Sequence, residues 1–416
     1  MEPEQMSKAE SWHIPELGQS LGLGYDRGGT VLTATGDLPP GILMFNGGVR
    51  PMDGQGVIPS ARSVDQQLSE EQVATLCPAQ ERSHGPHFHE THLSALAAQL
   101  CKSDCGAPAR YVISAHGVGN TGYARLQRGT APYDNLLRAV AAHTRLSAQA
   151  GLSPVVPFVS MVHGESDSAV AQPVYAGFLN SLRADLQKDI AAITGQPRAP
   201  FLAVTQIGKI RQGRVSDVAL AQLAFGCVEE DGLCAGPKYQ WAFSDKVHLT
   251  SKSYRHLGEM IGKFCALRLA GHAALPLHLR AAERVRPRLL RLQFHVPVQP
   301  LRLRQDGPVR DPGACGIEVL RHRNRWQPVE IENVSTQGPT DLILRLAQPV
   351  QRFDVQVRIA MQKASEQGPQ VGPRSVLSDS DTTRGALSGA ALSNWCAHGA
   401  VNLAAVDVLK TQAGSP

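Results

Sequence analysis

Three runs rich in apolar residues leave few folds open to this chain: 111–115, 155–162 and 201–206. Each is followed by polar or glycine-bearing residues and then by a helix-length stretch. Helices are expected over about 132–150, 173–195 and 251–270, near 214–225, and from about 92 to 101 ahead of the first run. Val215, Val218, Ala219 and Leu223 share one side of the 214–225 segment, which Gln222 interrupts. Ser251 is the expected N-cap of the last helix. Extended segments at 12–17 and 41–45 add to the set. Strands that read as near-continuous apolar runs between helices form a parallel sheet covered on both faces, so the fold class is α/β. Ligands of such sheets bind beyond the carboxyl ends of the strands. The polar clusters at 18–22, 116–122, 163–167 and 245–248 all fall at that end.

Beyond Ala270 the pattern shortens. Alternating segments at 288–295, 317–321, 329–331, 342–346 and 355–359, set apart by Gly, Pro, Asp and Asn, predict an antiparallel β-sandwich. A length of 416 residues suits more than one domain. The division expected is a domain over 1–275, a β-sandwich over 286–362, and a linker and C-terminal arm over 363–416. The end of that arm, 392–398, is apolar and aromatic enough to dock on something.

Composition narrows the class. Hydrophobic residues make up 42% and charged residues 19% of the chain, the balance of a folded soluble protein. No run of 18 apolar residues exists, so a membrane is not an expected partner. The first residues are acidic and polar, without the basic and apolar regions of a secretion signal, so synthesis in a cytoplasm is expected. Later release inside a particle, and hence a virion-associated location, is compatible with that. The net charge of +5 is unevenly placed. Arginines 280, 284, 286, 288, 291, 302 and 304 interleave with apolar residues, as on half-buried strands with a basic outer face. A solvated face, or contact with an acidic glycan or protein partner, is expected ahead of nucleic acid. The eight cysteines show no paired CxxC spacing and are read as reduced and structural.

Two local patterns carry chemistry. Ser20, in Gly18-Gln19-Ser20-Leu21-Gly22, stands between an apolar strand and a glycine-rich turn, where its hydroxyl can be exposed and nearby N–H groups can bind an anion. Asp245-Lys246-Val247-His248 places a carboxylate three residues before an imidazole. It can reach Nδ1 and leave Nε2 free to take a proton from a serine. Nucleophile, base and orienter together are what a hydrolytic triad requires. His84, His87, His89 and His92, with Glu90, suggest a metal site. However, their spacing does not fit one helical face, and no distant carboxylate or thiol cluster completes one. The competing reading is a loop and cap, with some histidines bordering a substrate cleft.

Gly18-Gln19-Ser20, Gly119-Asn120-Thr121, His163-Gly164-Glu165-Ser166-Asp167 and Asp245-x-x-His248 occur in the order of the SGNH (GDSL-like) hydrolases. They resemble most the sialate O-acetylesterase and carbohydrate acetylesterase branch, whose motifs run GQSN, GGT, QGESD and DxxH. The resemblance covers about residues 12–270. It implies a three-layer α/β/α fold and an ester hydrolase that uses neither metal nor organic cofactor. Ser20 would be the nucleophile, His248 the general base and acid, and Asp245 its orienter. The oxyanion hole would use the Ser20 N–H, the N–H of Gly119 or Asn120, and the side chain of His163. Each preorganised donor contributes about 3–4 kcal/mol. The chain departs from the pattern where Leu21 replaces Asn, Asn120 replaces Gly and His163 replaces Gln. Glu165 and Asp167 are expected to hold the loop rather than to act as acid or base.

Two functions follow. The first is a carbohydrate O-acetylesterase acting on an acetylated surface glycan. The second is a weakened or inactive glycan-binding or structural component of a larger assembly, such as a bacteriophage tail, with protein partners met through the sandwich and the arm.

Overall fold

The structure is a computed structural model that describes residues 9–404, apart from 35, 58–64, 107, 211–214, 352–354 and 363–365. The first domain is built on a sheet of eight strands: β1 (Glu10–Glu16), β2 (Ile42–Phe45), β3 (Leu76–Pro78), β4 (Arg110–Ala115), β5 (Ser153–Val155), β6 (Phe158–Met161), β7 (Phe201–Val204) and β8 (Gly232–Cys234). Their order is β3-β2-β4-β1-β6-β7-β8, with β5 beside β1, and all pairings are parallel except β2 with β3. Five helices alternate with the strands: α1 (Leu93–Lys102), α2 (Ala131–Gln149), α3 (Gln172–Thr194), α4 (Asp217–Val228) and α5 (Ser251–Leu269). One core gathers Trp12, Ile14, Tyr111 and Ile113 with α1 and α5, and another gathers Val159, Met161, Leu202 and Val204 with α2, α3 and α4. The sheet is therefore covered on both faces, which is why its strands read as apolar runs.

Three details differ from the sequence reading. The run 155–162 is two strands because Pro157 has no N–H to give the ladder. The freed Val156 N–H and carbonyl bond instead to the Gln196 amide, at 2.7 and 2.9 Å. The cap of α5 is Thr250, whose side chain accepts from the Ser253 N–H. Residues 211–214 lie outside the described residues, and the helix expected near them spans Asp217–Val228.

The second domain is an antiparallel sandwich, larger than the interval 286–362. Its strands are β9 (His278–Arg286), β10 (Leu289–His295), β11 (Arg302–Leu303), β12 (Ile317–Arg323), β13 (Arg325–Val329), β14 (Ile331–Gln337), β15 (Asp341–Leu346), β16 (Val355–Ile359), β17 (Leu377–Ser378) and β18 (Gly399–Ala404). Eight of them run in the order β13-β12-β16-β18-β9-β10-β15-β14, and β11 pairs with β17. Leu290, Leu292, Leu342 and Leu344 face Ile317, Val319, Val357 and Ile359 across the core.

The segment after 363 is not confined to a linker and arm. From Asp381 to Asn394 it straps the first domain. Lys263 Nζ, on α5, bonds the Leu392 carbonyl (2.6 Å), Asn394 (2.7 Å) and Asp381 (3.0 Å). Glu259 accepts the N–H groups of Leu387 and Ser388. Leu392 enters the first core, while Trp395 and Cys396 enter the second. The strap then returns as β18, antiparallel to β16 and parallel to β9. Residues 405–416 lie outside the described residues. No described helix is long and apolar enough to cross a membrane.

Candidate active site

β1 lies between β4 and β6, where the winding of the sheet changes direction, and Ser20 follows its carboxyl end. The Leu17 and Gln19 N–H groups continue to bond β6 and the residue beyond it, through the Ser160 and Val162 carbonyls. The chain then tightens into a turn, with bonds from Gly22 and Leu23 to the Gln19 carbonyl and from Tyr25 to the Ser20 carbonyl. Ser20 heads that turn, 8% exposed. Its backbone N–H has no acceptor among the described residues.

The turn needs glycine at position 22, because a Cβ there would run into the buried Glu16 carboxyl beneath it. Burial holds that carboxyl, beneath the Ser20 turn, well above its usual range. Leu21 is buried in the first core and faces no substrate space, unlike the polar residue the resemblance places there.

Ser20 Oγ stands 2.8 Å from His248 Nε2, and His248 Nδ1 stands 2.8 Å from Asp245 Oδ2. Two features bring the hydroxyl and imidazole together across 228 positions of sequence. Asp26 accepts the Ser251 N–H (2.6 Å) and hydroxyl (2.9 Å), pinning the Ser20 turn to the start of α5. The 245–248 loop is also closed on itself: Asp245 Oδ1 accepts the N–H groups of Val247 and His248, both at 2.7 Å. Partial burial alone would raise the Asp245 carboxyl. The bonds from the His248 N–H, the His248 ring and the Val247 N–H outweigh it and hold the group below its ordinary range. The Tyr25 ring packs 4.2 Å from the His248 ring and fixes its face. A cleft of about 640 Å3, lined by residues including Arg27, Phe243, Asp245 and Lys246, opens beside this loop.

The 116–122 loop leans on the Ser20 turn. The Val118 N–H donates to the Gly18 carbonyl at 3.0 Å, and a Cβ on Gly117 would stand 2.5 Å from that same oxygen. Gly119 and Asn120 follow directly, with Asn120 exposed at φ 56°.

The side-chain role expected of His163 is corrected. Its ring is 1% exposed, with Nε2 donating to the Thr121 carbonyl and Nδ1 accepting from the Tyr175 hydroxyl, both at 3.0 Å. With both nitrogens engaged, the ring has nothing left to offer an oxyanion. It positions the loop bearing Gly119 and Asn120 instead. Burial lowers its pKa and keeps it neutral against the pull of Asp167 at 3.7 Å.

Glu165 and Asp167 make holding contacts. Glu165 accepts from the Gln19 amide (3.1 Å) and the Gly208 N–H (3.0 Å), and pairs with Lys238 at 3.1 Å. Burial would raise the Glu165 carboxyl, but Lys238 and the Gly208 N–H hold it below its usual range. Asp167 accepts the Tyr123 N–H at 2.8 Å.

The four histidines of 84–92 turn to separate partners. His84 faces Asp53 (3.4 Å), His87 packs on Tyr25, His89 bonds Ser83 (2.9 Å) and His92 bonds Ser160 (2.9 Å). The sequence reading did not anticipate Tyr25 or Lys238. Lys238 carries no local signal, since a lone lysine in a loop reads as exposed.

No family model matches the sequence, and neither does any curated protein. Solved structures do match in fold. XAC1771, a carbohydrate acetylesterase from Xanthomonas citri, superposes with a TM-score of 0.51 at 14% identity, over 94% of this chain and 80% of the other. NanS matches at 0.41 and 11% identity, over 64% of this chain and all of the other. Est24, a carbohydrate acetylesterase from Sinorhizobium meliloti, matches at 0.33 and 14% identity, over 63% and 99%. The first of these spans both domains described above, so the α/β domain with its sandwich is a shared architecture. The fold is the one that the resemblance to SGNH hydrolases implies.

Proposed function

We propose that the chain is a carbohydrate O-acetylesterase working through Ser20, His248 and Asp245. The observation that carries this is the unbroken line from Ser20 Oγ to His248 Nε2 and from Nδ1 to Asp245 Oδ2, each 2.8 Å, at a sheet end that solvent reaches. Asp245 accepts from Nδ1–H, so the Nε2 lone pair faces the hydroxyl. Ser20 Oγ attacks the acetyl carbonyl as His248 takes its proton. The oxyanion develops against the Ser20 N–H and the backbone N–H of Gly119 or Asn120. Imidazolium then protonates the departing sugar oxygen, leaving an acetyl ester on Ser20. Water, deprotonated by the same imidazole, releases acetate and restores the hydroxyl. Turnover of p-nitrophenyl acetate, and acetate release from an acetylated polysaccharide, test the reading. Both are expected from the wild type and lost in Ser20→Ala; equal, negligible rates in the two proteins would end it.

A second reading draws support from His163. A hole without its side-chain donor gives up on the order of 10²–10³ in rate. A chain so weakened would serve as a glycan-binding or structural component of an assembly such as a bacteriophage tail, attached through the sandwich. Acetylated glycan bound without acetate release would favour it.

A further inference from the structure

The hairpin of β12 and β13 ends in Arg321-His322-Arg323-Asn324-Arg325-Trp326. Its tip closes one wall of a cleft of about 730 Å3, lined by Arg284, Arg321, His322 and Arg323 together with Pro, Gln and Val side chains of 287 and 348–351. Among the described residues, no carboxylate lines it. Of the three guanidiniums, Arg284 bonds the Val350 carbonyl at 3.1 Å, while Arg321 Nε is buried with no partner among the described residues. Arg323 sits directly opposite Arg325 across the hairpin, a like-charge pairing that destabilises a ladder unless an anion lies between or beside the two. Two other arginines of the domain do have carboxylate partners: Arg291 with Glu283 and Asp341, and Arg288 with Glu332. Trp326 stands 41% exposed, its ring 5.1 Å from and edge-on to that of His322.

We infer that this cleft is a second carbohydrate site, one that takes a carboxylate-bearing polysaccharide. Guanidiniums meet carboxylates through two parallel N–H bonds, and an indole offers a broad apolar face for the C–H side of a sugar ring. Nucleic-acid tracks repeat their aromatic platforms along a basic groove; here one indole stands beside one basic cluster at a hairpin tip. Choosing a glycan as the polymer rests on the acetylesterase reading, in which the cleft holds an acidic chain while Ser20 works along it.

The test is retardation of the full chain in native gels cast with polygalacturonate, dextran or single-stranded DNA, together with thermal melting of each variant. Polygalacturonate is expected to retard the wild type and Ser20→Ala equally, dextran neither, and DNA less than polygalacturonate. Arg321→Gln/Arg323→Gln is expected to weaken retardation on the order of tenfold. Trp326→Ala, at an exposed position, should weaken it at an unchanged melting temperature. Equal retardation by dextran, stronger retardation by DNA, or full retardation of both variants would overturn the inference. Because binding is read without turnover, loss of retardation indicts the cleft, whereas loss of ester hydrolysis alone indicts the Ser20 site.

Discussion

Lys238 is fully buried, its Nζ 3.1 Å from Glu165 and 3.2 Å from Thr205 Oγ1, so its replacement by Met is a sharp probe of how the Ser20 turn is held. Lys238→Met keeps the stem and deletes the ammonium. Glu165 is left with the Gln19 amide and the Gly208 N–H but no countercharge. Removing one partner of a buried pair costs about 3–5 kcal/mol, a large part of a net stability of about 5–15 kcal/mol. Glu165→Gln alone strands the ammonium and should cost a similar amount. The double variant strands neither charge, so its loss should fall short of the sum of the singles by about 2 kcal/mol or more. Urea unfolding of the four proteins measures the cycle. Since Glu165 also holds Gln19 beside Ser20, ester turnover should fall in Lys238→Met, with the drop in kcat rather than KM. Losses that add to within about 0.5 kcal/mol, with turnover unchanged, would refute the coupling described here.

Other perturbations test other contacts. Tyr25→Ala removes the ring that backs His248, so kcat/KM should fall about five- to tenfold, as expected for about 1 kcal/mol of ring contact, while Tyr25→Phe should match the wild type. His92, His116 and His143 are each pushed down to about 3 by burial, and so stay neutral where unfolded imidazoles take up protons. With the unfolded chain binding more protons below about pH 6.5, each costs about 1.4 kcal/mol of stability per pH unit as pH falls toward 3. Glu81, raised to about 7 by burial and by Glu90, works the other way, its contribution full below the unfolded carboxyl pKa and lost as pH rises from there through about 7. The comparison to make is therefore between wild type and His143→Gln, whose urea midpoints at pH 6, 5 and 4 should decline less steeply; parallel declines would exclude the assignment. Gly117→Ala sets a Cβ against the Gly18 carbonyl and should force the two loops apart, lowering turnover with little change in melting temperature if the contact is local.

The α/β layer was legible because strands buried on both faces must be apolar along their whole length, as at 110–115 and 201–204. The contact of Asp245 with His248 was legible because an offset of three residues makes it local, whereas the approach of His248 to Ser20 spans 228 positions. What sequence hid depends on distance or on single atoms. Pro157 divides a run that hydropathy joins. β8 is three residues long, too short for any period to show. β9 reads poorly because its alternation slips at two irregularities in its pairing with β10. The oxyanion role first given to His163 followed from its place in a motif; the Thr121 carbonyl and Tyr175 hydroxyl that occupy its ring come from segments 42 and 12 residues away.

β18 joins the two halves of the sandwich, with three strands on one flank and four on the other. Until synthesis has passed residue 404, β9 and β16 both present open edges, even though β9 begins at 278. A nascent chain therefore carries two half-sheets with unpaired rims while every strand and helix of the α/β layer has already been made. The strap on α5 is what would bring the missing strand to them. A polypeptide cut short of that strand keeps Ser20, Asp245 and His248 yet exposes the edges most prone to pair with a neighbour.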